Sequence, residues 1–173
     1  DVSIETLEDH SHPAWQRLKF EELLAQQLSQ LKAKQERERQ QAPAFALQPG
    51  GLQEKLLAAL PFSLTEAQRR VVEEIARDLA RETPMRRLLQ GDVGSGKTVV
   101  AALAAAICID AGWQCALMAP TEILAEQHFR KLIGWLGPLL APRGQCVAWL
   151  TGSLRKKERT AMLELVASGQ AAL

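Results

Sequence analysis

The hydrophobic pattern of the first third of the chain is helical. From Pro13, apolar residues recur at steps of three and four residues or their multiples, which is typical of one face of a helix. The stripe is formed by Trp15, Leu18, Leu24, Leu28 and Leu31. After Leu31 the apolar residues stop, while helix-forming polar residues continue to Ala42. This change predicts either a strut between domains or a solvated helix end, and the pattern favours neither.

Proline residues interrupt the next part of the pattern and separate two further helices. Residues 52–60 form a short amphipathic stretch that Pro61 ends. A longer helix is predicted to follow, and Thr65 and Gln68 at its start have the spacing of a capping box. We expect a connecting helix in residues 43–60 and a domain boundary near residue 60.

Beyond residue 85 the pattern alternates between short apolar runs and helical stretches. Strands are predicted at 88–90, 115–119 and 146–150, and helices at 98–111, 122–135 and 153–167. We expect Gly134, Gly137 and Pro138 to end the second of these helices and Ser153 to cap the third. The alternation predicts an α/β domain: a parallel sheet with helices on both faces, preceded by the long helix of residues 13–42.

One loop in this alternating region carries the clearest chemistry. It follows the first predicted strand, opens a helix, and consists of Gly91, Asp92, Val93, Gly94, Ser95, Gly96, Lys97 and Thr98. Its glycines allow several backbone N–H groups to turn toward one anion, as a nucleotide triphosphate requires. Lys97 is expected to reach the β and γ phosphates, and the Thr98 hydroxyl to bind Mg²⁺.

Two further loops are expected at the carboxyl ends of the later strands. Pro120-Thr121-Glu122 and Thr151-Gly152-Ser153 each place a small hydroxyl residue before a helix. Such residues either cap the helix or contact the phosphates of a nucleic acid. The basic residues Arg155, Lys156, Lys157 and Arg159 follow and fit a solvated face as well as a DNA contact.

The composition excludes several classes of protein but does not identify a substrate. The 173 residues are 47% hydrophobic with a net charge of +1, and no apolar run reaches the roughly 18 residues of a membrane span. The start carries no secretory signal and no initiator Met, so we expect an excised piece of a cytoplasmic protein without membrane contact. The three cysteines and three histidines lack metal-ligand spacing, and we expect buried thiols and no metal beyond Mg²⁺.

The motifs resemble those of the RecG family of superfamily 2 DNA helicases. The resemblance covers nearly the whole chain. It rests on HPAWQRLKFEELLAQQLSQL (12–31), LPFSLTEAQRRVVEEI (60–75), MRRLLQGDVGSGKTVVAALAA (85–105), ALMAPTEILAEQH (116–128) and LTGS (150–153). The first stretch resembles the family's linker between its DNA-reading wedge domain and its motor, and the others resemble motifs of the first RecA-like motor domain.

The resemblance implies an ATP-dependent helicase that binds ATP and Mg²⁺ and remodels branched DNA in recombination and repair. It implies that Phe62 and Gln68 contact adenine, although the capping-box reading of Gln68 stays open. It also implies that two loops touch the DNA backbone, through Pro120, Thr121, Thr151 and Gly152. The implied partners are forked DNA, the wedge domain and a second motor domain.

The resemblance divides the chain into a linker helix region (1–42), a connecting helix (43–60) and the N-terminal part of a truncated motor domain (61–173). The family's acidic Asp-Glu-x-His motif does not occur before Leu173. We therefore expect the isolated chain to bind nucleotide weakly and not to hydrolyse it. The alternatives are a P-loop phosphotransferase and a non-catalytic nucleotide-binding module.

Overall fold

The computed structural model describes residues 12–173, and the chain divides into two compact units between Ala42 and Pro43. The described residues of the first unit, 12–42, contain one helix, α1 (Pro13–Glu38). It ends four residues before Ala42, the limit that the sequence predicts. The leucines of its apolar stripe, Leu18, Leu24, Leu28 and Leu31, are exposed. The helix therefore buries none of these leucines.

The second unit contains five helices and one short 3-10 turn. The helices are α2 (Leu52–Ala59), α3 (Glu66–Leu79), α4 (Lys97–Asp110), α5 (Glu122–Leu140) and α6 (Lys156–Ala167), and the turn is Ala141–Arg143. The helix start predicted at Thr65 is confirmed, since its hydroxyl accepts from the Gln68 N–H while the Gln68 side chain accepts from the Thr65 N–H. No helix of residues 12–173 is long and apolar enough to cross a membrane.

Helix α4 is the centre of the core, because its sequence is apolar almost all round and nearly every side is covered. Leu103 is fully buried, and helices α2, α3 and α5 pack around it. These helices contribute Leu52 and Leu56, Val72 and Ile75, and Leu132, Leu136 and Leu140. Burying each such side chain stabilises the fold by about 1.5–3 kcal/mol. Residues 52–59 thus share one core with α4, which begins within residues 91–98, the loop predicted to bind phosphates and called the phosphate loop from here on.

Helix α5 is longer than the sequence predicts, and the expected end at Gly134–Pro138 is wrong. Pro138 lies inside the helix, where it lacks the N–H that would bond the Gly134 carbonyl. The buried side chains of Leu132, Leu136 and Leu140 recur every four residues across this point. Their burial outweighs the lost hydrogen bond and carries the helix on to Leu140.

The predicted cap at Ser153 is also wrong, because α6 begins three residues later, at Lys156. The Glu158 carboxylate accepts from the Arg155 backbone N–H at 3.2 Å and so covers one of the donors at the helix start. The Ser153 hydroxyl instead lies 3.1 Å from that of Thr151. A local carboxylate three residues into the helix therefore sets its first residue.

The predicted parallel sheet is not confirmed as regular strands. Within residues 12–173 the β pairing consists of one parallel bridge between Cys146 and Ala171. Extended segments starting at Cys115 and Cys146 flank residues 170–173, and four backbone hydrogen bonds join the three segments. These bonds are enough to align the segments but too few to form a ladder.

The cysteines are half-buried and unbridged. A hydrogen bond between the thiols of Cys108 and Cys115 lowers the pKa of Cys108 to about 7, and it raises the pKa of Cys115. Elsewhere in the unit, the Arg87 guanidinium donates hydrogen bonds to Asp78 and Glu74, and these bonds, the one to Asp78 most, raise the pKa of Arg87. Arg87 thereby ties the extended segment before the phosphate loop to helix α3.

Candidate functional site

The phosphate loop runs from an extended segment into helix α4, as the sequence predicts. Gly94 and Gly96 have φ values of +86° and +82°, in the left-handed region that only glycine enters at low cost. Gly96 occupies the N-cap of α4, and no side chain among residues 12–173 caps this helix. The first N–H groups of α4, with the positive end of its dipole, therefore lack the side-chain partner that other helix starts have.

The Lys97 side chain folds back over the loop. Its Nζ donates to the carbonyl oxygens of Gly91 and Asp92, at 2.7 and 2.8 Å, and lies 3.4 Å from the Ser95 hydroxyl. The positive charge is thus held by backbone carbonyls at the loop itself. An anion bound by the loop N–H groups would lie beside this ammonium group.

Thr98 is the residue that the sequence predicts to bind a magnesium ion. Its hydroxyl lies at the start of α4, directly after Lys97, where a metal bound to nucleotide phosphates needs an oxygen ligand. No group of three or more His, Cys, Asp or Glu residues in the part of the chain that the structure describes could hold a metal by itself. Mg²⁺ would therefore take the Thr98 oxygen together with phosphate and water oxygens.

Gln68 connects helix α3 to the phosphate loop. Its Oε1 accepts from the Thr65 N–H at 2.9 Å, and its Nε2 donates to the Ser95 carbonyl at 2.8 Å. A Cβ on Gly96 would collide with the same Nε2 atom. The two ends of the Gln68 amide therefore have different contacts: the oxygen completes the capping box, and the nitrogen binds the phosphate loop.

Phe62, the other residue expected at adenine, lies on the surface before α3. It is 45% exposed, and its ring packs edge-on against Trp135 of α5, with 6.2 Å between the ring centres. An exposed aromatic face of this kind can stack on a nucleotide base. Phe62 packs against α5 and Gln68 bonds to the phosphate loop, so different parts of the unit hold the two side chains in place.

The two loops expected at DNA are brought together by one side chain. Glu122, the first residue of α5, accepts from the Ser153 N–H at 3.0 Å. Thr121, beside Pro120, caps α5 by accepting from the Leu124 N–H at 3.3 Å. Thr151 is buried at 8% exposure, ahead of Gly152. The helix-cap interpretation of Thr121 is therefore realised in this structure, and a DNA contact would be additional to it.

The basic residues after the second loop have mixed surroundings. Arg155 forms a surface ion pair with Glu158 at 2.7 Å, and this hydrogen bond lowers the pKa of Glu158. Arg159 points its Nη1 at the Thr151 carbonyl, at 3.5 Å. Lys156 and Lys157 are exposed. The run is thus partly used for local contacts and partly directed to solvent.

Sequence reasoning missed the contacts that two residues make at these loops. His128 of α5 approaches the phosphate loop, with its Nδ1 3.4 Å from the Thr98 hydroxyl oxygen. Glu122 bridges the two other loops. Neither follows from spacing, because each contact joins residues about thirty positions apart. The only available signal was their occurrence in the segment that resembles a helicase motif.

The chain belongs to the DEAD/DEAH box helicase family, whose model matches residues 65–169, well over half of the chain. Among curated proteins it is 50% identical over 169 residues to the ATP-dependent DNA helicase RecG of Haemophilus influenzae, and 51% identical over 170 residues to that of Pasteurella multocida. Each alignment covers 98% of this chain and 24% of the relative. The resemblance to RecG that the motifs indicate is confirmed.

A solved structure shares the fold. A chain described as "Structure of RecG bound to three-way DNA junction" matches with a TM-score of 0.78 and 41% identity, over 91% of this chain and 21% of the other. The chain described here thus corresponds to about a quarter of the length of its relatives, and the match places it within a helicase-type domain.

Proposed function

We propose that this chain is the linker helix and the first part of the first motor domain of a RecG-type, ATP-dependent DNA helicase. Its full-length protein would couple ATP hydrolysis to the remodelling of branched DNA, by fork reversal and branch migration. The observation that carries the proposal is the phosphate loop: Gly94 and Gly96 in left-handed conformation, an uncapped helix start, and Lys97 folded over the loop.

In this proposal the residues Gly91–Thr98 bind the ATP phosphates, and Lys97 neutralises charge on the transferring phosphoryl group. Mg²⁺, when bound through Thr98, would polarise the phosphate oxygens. Phe62 offers its exposed face to the adenine base, and Gln68 offers its amide. The hydrogen bonds of Gln68 to Thr65 and Ser95 support its place beside the nucleotide.

Two loops form the proposed contact to the DNA backbone, through Pro120, Thr121, Thr151 and Gly152. The Glu122–Ser153 hydrogen bond supports this role, because it holds the two loops beside each other. Small hydroxyl groups and helix N–H groups are common phosphate ligands in protein–DNA interfaces. The basic residues Lys156 and Lys157, which are exposed nearby, would add favourable charge.

We further propose that the extended segments at 115–119, 146–150 and 170–173 belong to the parallel sheet of a RecA-like domain in the cytoplasmic full-length protein. Their shared hydrogen bonds support a parallel arrangement. The acidic motif, the second motor domain and the wedge domain would come from the remainder of the protein. Hydrolysis then requires those parts, and the chain alone is expected to be inactive.

The test is the ATPase rate of the full-length protein without DNA, with linear duplex, and with forked duplex of equal length. We expect the fork to stimulate turnover most, and Lys97→Ala to reduce the stimulated rate by about 10²-fold or more. Lys131→Ala, which removes an exposed lysine of α5, is the matched control and should leave the rate unchanged. An ATPase rate that no DNA changes would favour a phosphotransferase. Unchanged function of the full-length protein in Lys97→Ala would favour a non-catalytic nucleotide-binding module.

A further inference from the structure

His128 has no role in the proposed function, yet it contacts the proposed magnesium ligand. Its Nδ1 lies 3.4 Å from the Thr98 hydroxyl oxygen, at the long end of hydrogen-bonding distance, and the contact is partly buried. The two residues lie thirty positions apart. The contact therefore joins two different helices, α4 at the nucleotide loop and α5.

Helix α5 connects this contact to the proposed DNA loops. Its first residue, Glu122, holds Ser153, and Thr121 caps it. Phe129, the neighbour of His128, packs on Trp149 just before the second loop, with 5.1 Å between the ring centres. His128 lies six positions after Glu122, which is about 9 Å along the helix axis. A rigid segment of that length transmits a shift at one end to the other with little loss.

The chemistry of the contact is compatible with a metal at Thr98. A threonine hydroxyl can donate its proton to one partner while an oxygen lone pair faces another. In the tautomer that carries its proton on Nε2, His128 accepts from Thr98 through Nδ1. The imidazole then selects one orientation of the hydroxyl, and the position of α5 determines where the imidazole lies.

We propose that His128 is a positioning residue that couples the phosphate loop to the two DNA loops through helix α5. DNA bound at the two loops, residues 120–122 and 151–153, shifts α5 and changes the orientation of the Thr98 hydroxyl. By thermodynamic linkage, nucleotide bound at the loop changes DNA affinity by the same factor. The inference rests on the proposed function, since it needs nucleotide at one site and DNA at the other.

The experiment measures the affinity of the full-length protein for a fluorescent ATP analogue with Mg²⁺, without DNA and with saturating forked duplex. We expect the fork to change the affinity of the unaltered protein by about fivefold or more. His128→Ala should reduce this factor to below about twofold. His128→Asn should retain it, because the asparagine side-chain oxygen can accept in place of Nδ1. Lys131→Ala, on the same helix, should behave as the unaltered protein.

A second variant breaks the same path at its other end. Glu122→Gln weakens the contact to Ser153 without touching Thr98, and we expect it to reduce the coupling factor while binding of the analogue without DNA stays unchanged. It also keeps the test valid if His128→Ala unfolds, which a thermal melt reports.

Full coupling in both His128→Ala and Glu122→Gln would overturn the inference, as would equal losses in His128→Ala and His128→Asn. An unaltered protein that binds nucleotide and fork without any coupling would overturn it too. In each of these cases the proposed function stands. Failure of the unaltered protein to bind the analogue or DNA at all would instead remove the proposed function, and the inference with it.

Discussion

Helices α4 and α5 begin in different ways, although each follows an extended segment. Helix α4 starts after Gly96, a left-handed glycine without a side chain to offer. Helix α5 starts after Thr121, whose hydroxyl accepts from the Leu124 N–H. Other helices of the unit resemble α5: the Thr65 hydroxyl covers the start of α3, and the Asp110 carboxylate covers the Leu52 N–H of α2.

The difference shows where the protein leaves donors for a ligand. The first four N–H groups of any helix lack partners within that helix, and leaving them buried and unpaired is costly. A helix start that serves the fold is covered by a side chain of the protein. The start of α4 has a glycine in that place, and the anion that the proposal assigns to it would act as its cap.

The largest effect is expected where a structural cap is removed from the core. The Asp110 side chain is 7% exposed and accepts hydrogen bonds from the Leu52 N–H and from Arg143, the latter at 2.9 Å. Asp110→Ala leaves both donors without that partner, so we expect a loss of about 2–4 kcal/mol in the free energy of unfolding. Urea denaturation measures it. Glu54→Ala is the control, because Glu54 accepts from the exposed Gly50 N–H at the same helix. Equal losses would contradict the role of Asp110.

The next effect tests the uncapped helix directly. Gly96→Ala forces a side chain into the left-handed region, at a cost of about 1–2 kcal/mol, and its Cβ meets Gln68. We expect nucleotide affinity to fall by at least tenfold in a fluorescence titration. Gly112→Ala has a similar φ of +83°, and among the described residues no atom lies within 4 Å of its Cβ. It should cost similar stability and leave nucleotide binding intact. A matching loss of binding would show that strain alone is responsible.

A smaller effect is expected at the cap of α5. Thr121→Ala removes the acceptor of the Leu124 N–H and should destabilise the unit by about 1 kcal/mol in thermal or urea unfolding. Thr160→Ala is the control, since the Thr160 hydroxyl donates to the Lys156 carbonyl inside α6 and caps nothing. If Thr121→Ala, but not Thr160→Ala, also reduces the affinity of the full-length protein for forked DNA, the result supports the proposed contact between Thr121 and the DNA backbone. Equal stability of the two variants would show that this cap contributes little.

The smallest effect is expected at the exposed start of α6. Arg155 lowers the pKa of Glu158, so the stabilisation from this pair is present above the ordinary carboxylate pKa and is lost as the pH falls through the lowered value. Because both side chains are solvated, Glu158→Gln should barely change the melting temperature at pH 7. It should also slightly reduce the fall in melting temperature between pH 7 and pH 3. A large change at pH 7 would mean that the pair is more than a surface contact.

Local signals account for the parts of the fold that the sequence predicts. The capping box at Thr65, the helix from Lys97 and the glycines of the phosphate loop each depend on residues within four to eight positions. The motif that led to the RecG family is equally local. These features were available from spacing and backbone chemistry alone.

The missed features depend on residues distant in sequence. The end of α5 at Leu140 depends on packing against the core, which overrides Pro138. Residues 170–173, where no strand is predicted, align with the segments at Cys115 and Cys146 through hydrogen bonds that only the fold creates. The contact between Thr98 and His128 is of the same kind. Periodicity cannot report such partners, because it describes one element at a time.

The two hydrogen bonds of Gln68 have a consequence for ligand choice. Both ends of its amide are engaged, one by Thr65 and one by the Ser95 carbonyl. An adenine base that takes the place of the Ser95 carbonyl at Nε2 would release the phosphate loop from Gln68. Pyrophosphate, which has no base, would bind the loop and leave the hydrogen bond between Gln68 and Ser95 intact. The phosphate loop would then move more freely after a nucleotide binds than after a bare polyphosphate binds.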